Sequence, residues 1–116
     1  MHITALHHVN IVVDDADVAT HFYGTVLGLP VIDDRPATAG PGGHFALGAS
    51  ELHLTVGSPL ESRGQHIAIV VDDLAATIAE LTAAGADVDV PEDPGARRTF
   101  ARDPAGNRLE ILRQPD

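Results

Sequence analysis

The sequence contains no cysteine and no lysine, and these two absences exclude several kinds of chemistry. Without cysteine there is no disulfide framework, no thiolate nucleophile and no sulfur ligand, so any metal must be bound through nitrogen and oxygen. Without lysine there is no Schiff-base catalysis and no P-loop lysine for phosphate. A chain that needs no disulfides suits a reducing compartment, and we expect it in the cytoplasm.

Positive charge and long apolar runs are also scarce. Seven basic residues, all arginines, stand against seventeen acidic ones, and the formal charge of -10 repels nucleic acid and anionic lipid alike. Residues 1–9 lack the pattern of a signal peptide, and no apolar run approaches the length that spans a bilayer. We therefore expect neither a nucleic-acid nor a membrane partner. The 116 residues, 44% of them apolar, predict one domain over 1–116.

An internal repeat organises what is present. The segment HVNIVVDD, which begins at His8, reappears as HIAIVVDD from His66, and six of the eight residues are identical. Each copy alternates as a β-strand does, and its final Asp-Asp is suited to cap the helix whose apolar pattern follows. Gly28 and Gly85 supply the C-terminal stops of those helices. The repeat therefore predicts a strand and a helix at the start of each half.

Three further strands are predicted after each helix. They are Leu29–Asp34, Gly43–Gly48 and Glu51–Val56 in the first half, and Ala86–Val90, Arg97–Arg102 and Asn107–Arg113 in the second. The predicted class is therefore α+β, with two tandem βαβββ modules, about 1–57 and about 64–114, that form a curved mixed sheet around a metal-binding cleft.

Four residues at symmetric positions of the repeat are candidate metal ligands. His8 and His66 begin the first strand of each module, whereas His53 and Glu110 are repeat mates in the last. The alternation of a strand places each of them on the face opposite its apolar neighbours, and imidazole and carboxylate suit Zn, Ni, Co, Mn or Fe(II). A lone histidine on a strand is usually only a half-exposed polar residue, but four at symmetric positions favour a site.

Other polar residues are candidates for contact with substrate. Phe45 and Phe100 match in the repeat, and if both face the helices, His44 and Thr99 face the cleft. Arg97 shares the parity of Thr99, so it could bind a carboxylate or phosphate, although ordinary surface charge pairing is the favoured explanation for an arginine in an acidic protein.

Several motifs resemble the vicinal oxygen chelate superfamily, the group of glyoxalases, bleomycin-resistance proteins and extradiol dioxygenases. The similar segments cover essentially the whole chain: His8-Val9, Phe22-Tyr23 through Leu27-Gly28-Leu29, Gly64-Gln65-His66-Ile67-Ala68, and Asp103-Pro104-Ala105-Gly106-Asn107-Arg108-Leu109-Glu110. The resemblance implies paired βαβββ modules and a divalent metal held at the positions of His8, His53, His66 and Glu110. It also implies a homodimer, and it places Asn10 where the fosfomycin-modifying thiol transferases have a threonine, two residues after the first histidine.

The function that the resemblance implies is a metal-dependent lyase, isomerase or transferase acting on a small oxygenated metabolite or electrophile. The metal would chelate two neighbouring oxygens of the substrate, and His53 and Glu110 would be the catalytic residues, with Asn10, His44 and Arg97 binding substrate. His53 stands where glyoxalase I has a glutamate that shuttles a proton. Two alternatives stay open: an Fe(II) extradiol-type dioxygenase using His8, His66 and Glu110, and a drug-binding protein without catalysis.

Overall fold

The regular structure of residues 1–36, 38 and 40–115, the part of the chain that the computed structural model describes, consists of seven strands and two α-helices with a π-helical extension. These residues divide into two compact units, Met1–Pro59 and Leu60–Asp116. The dividing point falls within the polar stretch 57–64 that links the two copies of the repeat. Among the described helices, none has the length and apolar character needed to cross a membrane.

Unit one is a three-stranded sheet covered by a helix. Its elements are β1 (His8–Val13), α1 (Ala16–His21), a π-helical segment (Phe22–Val26), β2 (Gly42–Leu47) and β3 (Ser50–Val56). The sheet order is β1-β3-β2, in which β1 is parallel and β2 antiparallel to β3. Asp15 caps α1 by accepting a hydrogen bond from the amide of Val18, as the Asp-Asp pattern predicts.

The helix of unit one widens into a π-helix at its end. The amide of Leu27 donates to the carbonyl of Phe22, five residues back, so one residue more than usual fits in the turn. Phe22 and Tyr23 are both buried, and they form the core together with Val13, Ala19, Phe45, Leu52 and Leu54. One face of the sheet is thereby covered, and the polar side chains of β2 and β3 are left on the other.

Unit two repeats this plan with a longer helix and one more strand. Its elements are β4 (Ile67–Val71), α2 (Leu74–Ala83), β5 (Asp87–Val88), β6 (Arg98–Arg102) and β7 (Arg108–Arg113), and its sheet order is β4-β7-β6-β5. Asp73 caps α2 by accepting from the amide of Ala76, and Gly85 leaves the helix at a φ of 77°. The core is built from Leu74, Leu81, Ala101, Leu109 and Ile111.

The predicted α+β class is confirmed, and four of the strands predicted after the helices agree with the observed ones to within one residue at each end. Two predicted strands are wrong in extent. The segment Leu29–Asp34 pairs only as an isolated bridge between Val31 and Phe45, and Ala86–Val90 shrinks to Asp87–Val88. The first segment contains Pro30 and the second is followed directly by Pro91, and a proline cannot donate to a strand ladder.

Candidate metal centre

The candidate ligands of each unit lie on its two parallel strands in equivalent register. Asn10 of β1 pairs with His53 of β3, and Ala68 of β4 pairs with Glu110 of β7. His8 lies two residues before Asn10, and His66 lies two residues before Ala68. Because side chains two apart share one face of a strand, each unit brings its first-strand histidine to the face that carries the ligand from its last strand.

In unit one the histidines form a stack of three rings. The His53 ring lies 3.9 Å from that of His8, at an interplanar angle of 13°, and 3.6 Å from that of His44, at 8°. The pKa of His8 is held below its ordinary 6.5, first because its ring loses water where it packs and then because a charge on His53 opposes a second charge. The stack is therefore formed most readily by neutral rings.

Two carboxylates contact this stack in the plane of the rings. Asp34 accepts a hydrogen bond from Nδ1 of His44 at 2.9 Å, and this bond lowers the pKa of Asp34 below its ordinary value of 3.8. Oε1 of Glu51 lies 2.9 Å from Nε2 of His53. The ligand atoms of His44, Glu51 and His53 all lie within 4.8 Å of one another, so unit one contains a histidine, glutamate and histidine group of a kind that holds metals.

In unit two, His66 faces Glu110 across β4 and β7. Nε2 of His66 lies 3.1 Å from Oε2 of Glu110, and Nδ1 lies 2.7 Å from the carbonyl oxygen of Gly64. A carbonyl only accepts, so Nδ1 must carry the proton, and in the neutral ring Nε2 then presents a lone pair to a carboxylate oxygen. Two acceptors at this distance require a proton or a cation between them.

Glu110 is well placed to serve such a cation. Its side chain is 10% exposed, and its other oxygen accepts a hydrogen bond from Nη1 of Arg98 at 3.1 Å. This bond orients the carboxylate while leaving Oε2 directed at His66. Phe100 closes one side of the pair: its ring centre lies 5.8 Å from that of His66, and the guanidinium carbon of Arg108 lies 4.0 Å from the centre of the Phe100 ring.

The expected orientations of β6 are wrong. Phe100 lies with His66 and pairs in register with Glu110, whereas Thr99 is 4% exposed and donates to the carbonyl of Asp89 at 2.6 Å. Phe45, by contrast, is buried against the helix of unit one, as expected. Phe45 pairs with Leu52, seven residues later, whereas the equivalent Leu109 pairs with a residue eight positions earlier, so the equivalent of Phe45 is Ala101 rather than Phe100.

Because of the same shift in register, the arginine that contacts a candidate ligand is Arg98 and not Arg97. Arg97 shares the parity of the buried Thr99, and its carbonyl accepts from the amide of Arg113 outside the observed β6. Its predicted place beside a substrate therefore has no support from strand parity, and Arg98 contacts Glu110 instead. Asn10 lies on the ligand face, where its side-chain oxygen accepts from the hydroxyl of Thr55 at 2.8 Å.

Three polar partners were not predicted from the sequence: Asp34, Glu51 and Arg98. Glu51 carried a usable signal, since it precedes His53 by two residues and so shares its face of β3. Arg98 could have been identified only with the correct register. Asp34 reaches His44 from an irregular segment, for which strand parity gives no direction.

The donor sets of both units fit a divalent cation. Ligands about 2.1 Å from a metal lie about 3.0 Å apart when they are neighbours in an octahedron and about 3.4 Å apart in a tetrahedron. The separations of 3.1 Å between His66 and Glu110 and 2.9 Å between His53 and Glu51 are of this size. The chemistry of nitrogen and oxygen donors suits the same ions that the sequence predicts.

Comparison with known proteins identifies the family. Residues 5–111 match the Glyoxalase/Bleomycin resistance protein/Dioxygenase superfamily, and the protein belongs to it. No curated protein sequence matches the chain. Because the matched region includes both copies of the repeat, the resemblance noted in the motifs is confirmed across both units.

Solved structures of similar proteins support the same fold. A glyoxalase family protein from Bacillus anthracis is 26% identical, with a TM-score of 0.82 over 99% of this chain and 98% of its own. Lactoylglutathione lyase from Agrobacterium tumefaciens is 25% identical, with a TM-score of 0.72 over 96% and 94%. The antibiotic binding protein TnmS3 from Streptomyces sp. CB03234, at 24% identity and a TM-score of 0.80 over 99% of both chains, shows the fold alone.

Proposed function

We propose that this protein is a divalent-metal-dependent, glyoxalase-like enzyme that acts as a lyase, isomerase or transferase on a small oxygenated metabolite or electrophile. The proposed ligands are His8, His53, His66 and Glu110. A bound cation would polarise two neighbouring oxygens of the substrate as a Lewis acid.

The facing acceptors of unit two carry this proposal. With Nδ1 of His66 committed to the carbonyl of Gly64, the lone pair of Nε2 and the carboxylate of Glu110 oppose each other at 3.1 Å. Two acceptors so arranged repel unless a cation or a proton lies between them. The equivalent register of β1 with β3 brings His8 and His53 together in unit one, which supports a ligand role for that pair as well.

The remaining polar contacts suit the positioning and proton transfer that such an enzyme needs. Arg98 holds the Glu110 carboxylate in place, and the carbonyl of Gly64 fixes the tautomer of His66. His53 stands at the position of the proton-shuttling glutamate of glyoxalase I. His53 would either complete the metal site or detach when a substrate chelates; once detached, it could take a proton from the substrate while Glu51, whose Oε1 lies 2.9 Å from its Nε2, stabilises the charged ring.

Elemental analysis of protein purified without an affinity tag tests the proposal. In protein that carries His44→Asn, so that the histidine, glutamate and histidine group of unit one does not contribute, we expect about one transition metal per set of four ligands and its loss when His8→Ala/His66→Ala is added. The matched control is His2→Ala/His21→Ala, which removes two exposed histidines away from both pairs and should keep the metal.

Other outcomes of this experiment would support the two alternative functions, the extradiol-type dioxygenase and the drug-binding protein without catalysis. Iron in the protein, with oxygen uptake on added catechols, would indicate the extradiol-type dioxygenase. No metal after incubation with Zn, Ni, Mn and Fe(II) would contradict metal-dependent catalysis. Sequestration of a cationic drug would then be the better candidate, favoured by a cavity of about 470 Å³ in unit two that combines carboxylates with apolar side chains: Asp72, Asp73, Asp93, Leu74, Ile78 and Val90.

A further inference from the structure

Unit one contains a group of side chains that the four-ligand proposal does not use. His44 and Glu51 approach His53 from the neighbouring strand and from the same strand, and one ligand atom of each residue lies within 4.8 Å of the others. All three side chains are partly buried, at 13% exposure for His44, 25% for Glu51 and 14% for His53. Limited exposure reduces the competition from water that surface groups of this kind face.

The surroundings of His44 are those of a metal-binding histidine. Such residues commonly donate their second ring N–H to a carboxylate, which fixes the tautomer and makes the ligand nitrogen more basic. Asp34 accepts from Nδ1 of His44 at 2.9 Å, so Nε2 carries the lone pair. A solvated surface histidine would need no such partner, and the partner comes from a separate segment ten residues earlier in the chain.

The distance between Glu51 and His53 is also that of two ligands of one ion. Oε1 and Nε2 lie 2.9 Å apart, close to the spacing of about 3.0 Å between neighbouring ligands in an octahedral site. In the absence of an ion, this distance is a hydrogen bond from the ring to the carboxylate. The pair can therefore exchange a proton for a metal with little movement.

We propose that unit one binds a divalent transition metal by itself through His44, Glu51 and His53, with Asp34 orienting His44. The site contains one carboxylate and two imidazoles, a donor set that suits Zn, Co or Ni. It uses no residue of unit two, and it shares only His53 with the ligand set proposed above. The two sets therefore compete for one histidine ring.

Binding at this site requires a small rearrangement of the histidine stack. The lone pair of an imidazole lies in the plane of its ring, and the rings of His44 and His53 are nearly parallel at 8° and 3.6 Å. An ion bound to both must lie at the edge of the stack, so the rings must tilt apart. Metal binding and stacking thus exclude each other, and loss of the stack accompanies loading of the site.

Titration of the metal-free full chain with Co²⁺, followed by visible absorption and calorimetry, tests the proposal. We expect the variant His66→Ala/Glu110→Ala to retain one Co²⁺ per chain. His44→Asn and Glu51→Gln, which are close in shape to the originals, should each weaken that binding by more than about tenfold, and Asp34→Asn, which acts through His44, by about tenfold. The control His2→Ala/His21→Ala should bind as the wild type does, and circular dichroism checks that each variant is folded.

The results separate this site from the four-ligand set. Loss of Co²⁺ in His66→Ala/Glu110→Ala, with full affinity in His44→Asn and Glu51→Gln, would overturn the unit-one site and support the four-ligand proposal. Retention in the first variant with loss in the other two supports the unit-one site alone. Full affinity in all three variants would overturn both sets if it persists when His44→Asn is combined with His66→Ala/Glu110→Ala. Loss of Co²⁺ in that combination would support both sets, because each would then hold the ion when the other is removed.

Discussion

At the scale of single residues, the chemistry of the centre depends on the hydrogen-bond partners of the two ring nitrogens of each histidine. His66 donates from Nδ1 to the carbonyl of Gly64, and His44 donates from Nδ1 to Asp34, so both rings expose Nε2 as a base. His53 donates through Nε2 to the carboxylate of Glu51, whereas Nε2 of His66 faces the carboxylate of Glu110 without a proton, because the proton of that neutral ring is on Nδ1. The same residue type therefore supplies two bases of fixed tautomer and one ring that can release a proton on binding metal.

The lowered pKa of His8 makes the stability of the metal-free protein depend on pH. A group whose pKa is lower in the folded state than in the unfolded state binds fewer protons when folded, so its contribution is complete above 6.5 and is lost as pH falls through the folded value. We expect the free energy of unfolding to decrease as pH falls below 6.5, and His8→Gln to reduce that decrease. Chemical denaturation at several pH values after dialysis against chelator measures it.

A matched variant separates this effect from general loss of histidine. His2→Gln removes an exposed ring from the same terminal segment and should leave the pH dependence of unfolding unchanged. If His8→Gln and the wild type lost stability in parallel between pH 7 and pH 5, the titration of His8 would not be responsible.

At the scale of secondary structure elements, the pairing of β2 with β3 aligns His44 with His53, and Gly42 makes that pairing possible. Gly42 begins β2 at a φ of 152°, and a Cβ built there would lie 2.1 Å from the carbonyl oxygen of Leu54. No side chain can occupy that space without moving β3. The close approach of these two backbones thus depends on a residue that contributes no chemistry.

Substitution of Gly42 should therefore disturb the centre as well as the fold. We expect Gly42→Ala to lower the free energy of unfolding by about 3 kcal/mol or more, from the strained φ together with the contact with the Leu54 carbonyl. Gly40→Ala is the matched control, because Gly40 also has a positive φ but open space around its Cβ, and it should cost about 1 kcal/mol. If denaturant titration gave Gly42→Ala and Gly40→Ala the same loss in free energy of unfolding, the contact with the Leu54 carbonyl would not contribute to the cost.

The repeat allowed much of this architecture to be predicted. Identity between the segments that begin at His8 and His66 located β1, β4 and the helices that follow, because a period of two and an Asp-Asp cap are local signals. The π-helical turn at Phe22 could not be predicted, since the choice between five-residue and four-residue spacing is made by how Phe22 and Tyr23 pack in the core.

Errors in the candidate site come from the turns. Matching Phe45 with Phe100 is natural when residue identity is the guide, but the longer turn from Asp103 to Asn107 moves the register by one residue. In a strand, a shift of one residue exchanges the two faces, so Thr99 and Arg97 were assigned to the face that Phe100 and Arg98 occupy. The face that each residue of β6 occupies depends on which residues of β6 and β7 pair first on either side of the turn. The sequence alone does not define where that pairing starts.

At the scale of the whole molecule, the chain consists of two similar units, each of which presents one ligand pair. Duplication explains why His53 and Glu110 occupy equivalent positions although their chemistry differs, since a neutral imidazole and a carboxylate can both bind a divalent ion. The formal charge of -10 also favours the arrival of cations, including the metal itself.

The edge strands of the two sheets offer surfaces that favour the predicted homodimer. In unit one β1 lies at an edge of its sheet, and in unit two β4 does. An edge strand offers unpaired backbone groups that favour contact with a further strand, and the apolar side chain of Val70 on β4 is 54% exposed. Symmetric pairs of identical chains are the commonest arrangement that covers such surfaces.

We therefore expect light scattering after size exclusion to give twice the chain mass of 12.1 kDa, with or without chelator. Mixing His8→Ala/His53→Ala chains with His66→Ala/Glu110→Ala chains, the latter also carrying His44→Asn to remove the unit-one site, then shows which chains supply the four ligands. If each set draws on two chains, about a quarter of the wild-type metal should return, because half of the randomly mixed dimers restore one of two sets. If each chain supplies its own four ligands, mixing restores none. A mass of one chain at all concentrations would contradict the homodimer.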